Sequence, residues 1–188
     1  LWDPRVVELP RPLWWLVLNG VILNTRPKQS AEKYAKVWTP EGSPLKVHTE
    51  RQAKLLRGYL GQSGQGDLVI DWAMRYGEPS VASVLDRLKA QGCVRILVLP
   101  LYPQYSASTT ASAMDAVSAW ARQRPHAAAV ATIESFHEDP RYIAALTASI
   151  NAHWMDYGRP EKLVMSFHGL PKASIARGDP YYGQCIDS

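Results

Sequence analysis

Beyond about residue 40, short aliphatic and β-branched runs alternate with longer amphipathic segments. This alternation restricts the chain to an α/β fold, with βαβ units around a parallel sheet. The predicted strands are 68–70, 94–99, 128–133 and 162–167. Their nearly continuous apolar character suits strands covered on both faces. Between them, Ser43-Pro44, Glu78-Pro79 and Asp139-Pro140 each place a capping residue ahead of a proline at a helix start. Ala53, Leu56 and Leu60 recur at helical spacing, as do Val81, Val84, Leu85 and Leu88, and Ile143, Leu146, Ile150 and Trp154. A fourth helix is predicted over 109–122, through Ala113, Val117, Trp120 and Ala121.

At 188 residues, 46% hydrophobic and 20% charged, the chain can bury a core without disulfides or a structural metal. Cys93 and Cys185 are too far apart for a disulfide framework or a Cys/His zinc site, and point to a reducing compartment. The net charge of +4 is spread without a basic run, so no nucleic-acid partner is expected. The most apolar run, 13–23, is well short of the roughly 20 residues that cross a bilayer. Asp3, Glu8 and two prolines precede it and no small-residue cleavage site follows, which does not make a signal peptide; a cytoplasmic protein is expected. With Trp14 and Trp15 adjacent, the run reads either as a buried helix or as an apolar surface meeting a greasy ligand or, peripherally, a membrane.

Ligands of open α/β sheets sit beyond the carboxyl ends of the strands. The second strand runs into Leu99-Pro100-Leu101-Tyr102-Pro103-Gln104-Tyr105-Ser106-Ala107-Ser108-Thr109-Thr110. In one reading the rings stack on a flat ligand while the hydroxyls and a helix N-terminus hold a carboxylate or phosphate. In the other, the prolines shape a turn, the tyrosines pack and Ser106 or Ser108 caps the helix. No glycine-rich fingerprint follows any strand, which removes the main support for a dinucleotide or P-loop site. At the end of the fourth strand, Ser166-Phe167-His168-Gly169-Leu170-Pro171 presents a histidine beside a glycine that frees the backbone. A neutral imidazole there can ligate a divalent metal or take a proton near neutral pH, although a lone histidine also serves structurally. His48 and His153 in helices, and His126 and His137 in loops, read as structural or solvated. No two histidines have metal-ligand spacing, and no carboxylate pair stands out.

Together, the segment 99–106, the segment 166–171 and Gly178-Asp179-Pro180-Tyr181 resemble ferrochelatase in content and order. Asp3-Pro4-Arg5-Val6-Val7, Gly42-Ser43-Pro44-Leu45 and Arg75-Tyr76-Gly77-Glu78-Pro79 are similar to the same family, so the resemblance covers essentially the whole chain. It implies a lyase that inserts Fe²⁺ into protoporphyrin IX to give protohaem, the last step of haem biosynthesis, with coproporphyrin as an equal alternative. It also implies two similar α/β lobes holding the porphyrin between them, residues 1–137 being most of the first and 138–188 the start of the second. Both ends are expected to be cut, the family's first strand falling before Leu1. His168 matches the family's active-site histidine, as metal ligand or proton acceptor. The glutamate paired with it is expected beyond Ser188, so the chain alone is expected to be inactive. Tyr34, Ser43, Tyr105 and Ser106 match positions that line or approach the porphyrin, with Trp14 and Trp15 on a lip of the cleft and Arg26 near a propionate. No cofactor is required, iron being a substrate, and Cys185 alone does not support an iron–sulfur cluster.

Metalation requires the ring to lose two pyrrole protons and the iron to shed water before it meets four inward-facing nitrogens. Binding that bends the ring exposes those nitrogens, with remote binding energy spent on the distortion. Two rivals stand beside this reading: a chelatase of similar fold acting on cobalt and a corrin precursor, and a porphyrin-binding module without catalysis. The Tyr-Pro-Gln-Tyr-Ser segment favours iron and porphyrin over the first, and the retained His168 weighs against the second.

Overall fold

The computed structural model describes residues 10–64, 66–124 and 128–188. The 3–7 segment, Leu1, Glu8 and His126 lie outside the described residues. The chain divides into two compact units, Leu1–Cys93 and Val94–Ser188.

The described part of the first unit is helical. Helix α1 (Arg11–Val17) starts on a proline-bearing first turn and continues through a π-helical turn, Leu18–Ile22, into α2 (Leu23–Ala35). The Asn24 amide donates to the carbonyls of Asn19 and Gly20 here, at 2.8 and 3.1 Å. Pro27 sits inside α2 and has no N–H to continue the helical ladder. Of the 13–23 run, Trp14 and Leu18 are buried while Leu13, Trp15, Leu16, Val21 and Leu23 are exposed, so the run is helical but only partly buried. Helix α3 (Pro44–Gln62) begins at the predicted proline, but of its expected stripe only Ala53 is buried.

Helix α4 (Val81–Ala90) begins later than Pro79. The Pro79 carbonyl accepts from the Met74 N–H at 2.8 Å, and Ser80 takes over as cap, accepting from the Ser83 N–H at 3.3 Å. Val84, Leu85 and Leu88 are buried as the stripe predicts. Residues 68–70 do not form the expected strand. They have no neighbouring ladder, Leu68 and Val69 are exposed, and the Ile70 carbonyl accepts from Arg57 instead.

The second unit carries the sheet. Strands β1 (Arg95–Val98) and β2 (Ala129–Thr132) pair in parallel, with Ile96 opposite Val130 and Val98 opposite Thr132. The connection between them contains a π-helical turn, Ala107–Ala111, and helix α5 (Ser112–Arg122), the helical crossover that a parallel pair needs. Val117 and Trp120 of α5 and Ile96 of β1 are core residues. Covering on both faces is not observed: Ile96 is buried but Leu97 is 65% exposed. The fold is thus α/β, with a smaller sheet than expected.

Helix α6 (Pro140–Tyr157) is capped by Asp139, whose Oδ1 accepts from the Arg141 N–H at 2.9 Å. Ile143, Ile150 and Trp154 are half-buried and Leu146 is exposed. The expected strand at 162–167 is absent, because a strand requires a partner ladder and these residues have none among the described residues; Val164 is 85% exposed. Two short helices follow, α7 (Lys172–Ala176) and α8 (Tyr181–Asp187). No helix among the described residues is long and apolar enough to cross a membrane.

Candidate functional site

The loop leaving β1 is fixed at several points. The Phe136 N–H donates to the Pro103 carbonyl at 2.9 Å, joining the chain beyond β1 to the chain beyond β2. The Tyr105 N–H donates to Gln184 Oε1 at 2.6 Å, and the Gln104 amide donates to Ser188 Oγ at 3.0 Å. Ser106, 1% exposed, accepts from the Ser108 N–H at 3.3 Å and donates to Asp179 Oδ2 at 2.9 Å. The Ala107 N–H donates to the same carboxylate oxygen at 2.9 Å. Ser106 thus caps the turn that begins at Ala107, as the second sequence reading has it, and the carboxylate that its hydroxyl and the Ala107 N–H meet belongs to the chain itself.

Asp179 continues the connection. Its Oδ1 accepts from the Tyr181 N–H at 3.0 Å, and the Tyr181 Oη accepts from the His168 N–H at 3.2 Å. Burial, followed by its hydrogen bond to the Cys185 thiol, raises the Tyr181 phenol above its ordinary pKa. Ser106, Asp179, Tyr181 and His168 therefore form one connected path within the second unit. The His168 imidazole is exposed and followed by Gly169, so it is accessible to a ligand. The sequence reading quoted Asp179 and Tyr181 without assigning them roles. Apart from the resemblance of the 178–181 segment, the local signal was an acid–proline pair resembling a helix cap, because the Ser106 partnership spans 73 positions.

The remaining candidates are placed separately. Tyr105 is half-buried in the second unit, with its backbone held by Gln184. Tyr34 and Arg26 are exposed on α2, and Ser43 is the half-buried cap of α3, with no side-chain capping bond.

A second cluster emerges at His137, which the sequence reads as structural or solvated. Ligand atoms of His137, Glu138 and Asp187 lie within 4.8 Å of one another. His137 is 9% exposed, its Nδ1 has no hydrogen-bond partner, and its Nε2 lies 3.8 Å from Glu138 Oε2. Beside it, Leu99, Ile133, Phe136 and Tyr142 help line an open groove of about 430 Å³ beyond the carboxyl ends of β1 and β2. An imidazole with two carboxylates is a donor set for a borderline divalent ion.

A family model described as ferrochelatase matches residues 1–188. The chain is 58% identical over 183 residues to a ferrochelatase of Aromatoleum aromaticum, 56% to one of Chromobacterium violaceum and 55% to one of a Polaromonas species. Each alignment covers 97% of this chain and 50% of the relative, so the chain spans about half the length of the curated relatives it matches.

Proposed function

The chain belongs to the ferrochelatase family, and on that premise we propose that the complete protein is a lyase inserting Fe²⁺ into protoporphyrin IX to form protohaem. The observation that carries this reading is His168: its imidazole is exposed and its backbone N–H is tied to Tyr181. An accessible imidazole on a held backbone can receive a pyrrole proton or offer a nitrogen to the incoming iron. The partner carboxylate is a glutamate of the complete protein beyond Ser188. No resident cofactor is proposed, since the iron is consumed as a substrate.

Tyr34, Ser43 and Tyr105 are the proposed porphyrin contacts. Ser106, matched to a porphyrin-approaching position, has its hydroxyl buried and committed to Asp179, and is proposed to contribute by fixing the loop that carries Tyr105. Residues 1–137 and 138–188 are proposed as parts of two lobes in the complete protein. Peripheral membrane contact of a cytoplasmic enzyme is proposed through the exposed Trp15 and Leu16.

The test is iron insertion by the complete protein into protoporphyrin IX, followed by porphyrin absorbance, for wild type and His168→Ala. Loss of turnover with porphyrin binding retained is expected; unchanged turnover removes His168 from the mechanism. Running coproporphyrin and Co²⁺ in parallel identifies the preferred substrates.

A further inference from the structure

We infer that Tyr181 and Asp179 are positioning residues for His168, with Tyr181 holding the His168 backbone and Asp179 referencing it to the loop beyond β1. This inference rests on the proposed role of His168. Residues 162–167 have no strand partner, and Gly169 adds backbone freedom on the other side. The bond from the His168 N–H to Tyr181 Oη, 3.2 Å, ties the main chain of 162–170 to α8.

Asp179 uses both carboxylate oxygens. Oδ1 takes the Tyr181 N–H, and Oδ2 takes the Ser106 hydroxyl and the Ala107 N–H. Ser106 is almost completely buried, so the far end of the path is fixed in the body of the unit. The position of the His168 backbone is thereby set by the loop that carries Tyr105. A reacting group displaced by about 1 Å can lose on the order of 100-fold in rate, so this support bears on turnover without touching substrate.

The test uses the complete protein, with Tyr181→Phe and Asp179→Asn each made alone and combined with His168→Ala. Tyr181→Phe is expected to lower kcat by about tenfold while leaving the porphyrin KM within about twofold. It is also expected to move the His168 backbone amide resonance. In the His168→Ala background it is expected to cost nothing further, because residues acting through one group are not additive. An undiminished kcat with an unmoved amide overturns the inference, as does an equal fold-loss in the His168→Ala background. If His168→Ala leaves no residual turnover, the amide shift and the kcat–KM split decide. A wild type without insertion activity, or a fully active His168→Ala, overturns the functional reading itself; an active wild type with inactive His168→Ala and unaffected Tyr181→Phe overturns this inference alone.

Discussion

The Ser106 hydroxyl donates to a carboxylate from a site that water barely reaches, and that makes it costly to remove. Ser106→Ala leaves the half-buried Asp179 with one donor fewer. A loss of roughly 1–3 kcal/mol in unfolding free energy is expected, measurable by urea denaturation of the variant against wild type. Asp139 presents a different case. The Arg141 side chain, followed by the Arg141 backbone N–H, holds its carboxyl well below the usual carboxylate range. A depressed acid stabilises the folded state at pH values above the unfolded pKa, about 3.9, and that support is lost as pH falls through the folded value. The first turn of α6 should therefore be insensitive to pH near neutrality and loosen only in strong acid. Amide exchange at Arg141 would report this, and Asp139→Asn should abolish the acid dependence. Asp139 is half-buried but its partner Arg141 is exposed at the surface, so the effect is local and salt-sensitive.

Helix starts separate two serines that look alike in sequence. Ser80 accepts a capping bond from Ser83, whereas Ser43 makes none with its side chain. Ser80→Ala is expected to cost about 1 kcal/mol and Ser43→Ala a few tenths at most, with chemical denaturation of the two variants side by side as the check. The starts of α3 and α6 were legible because a cap followed by proline is a local signal confined to adjacent residues. The start of α4 was displaced because the Pro79 carbonyl is engaged by Met74, which no local pattern announces. Strands fared less well for a related reason. An apolar run such as 68–70 or 162–167 becomes a strand only when a neighbour supplies a ladder, and the neighbour is not written in the run.

For the molecule as a whole, an apolar run ending in His-Gly singled out His168 as a candidate, but what holds its backbone was not legible. The Asp179 carboxylate joins segments 73 positions apart, and periodicity or capping patterns do not encode pairings at that distance. Tyr34 and Ser43 belong to one unit and Tyr105, Ser106 and His168 to the other. If 162–167 gains cover in the complete protein, as the proposed second lobe requires, Val164→Lys should destabilise that protein by roughly 1–3 kcal/mol. In the 188-residue chain, where Val164 is 85% exposed, the same change should cost less than about 0.5 kcal/mol. Thermal unfolding of both forms with and without the substitution tests this. The Ser106–Asp179 bond also sets a schedule for synthesis. Ser106 leaves the ribosome 73 residues before its partner, and at ~5–20 residues per second that is a wait of roughly 4–15 s. Throughout that interval the loop beyond β1 lacks the Asp179 carboxylate, so the turn at Ala107–Ala111 waits for a residue that is translated just ahead of α8.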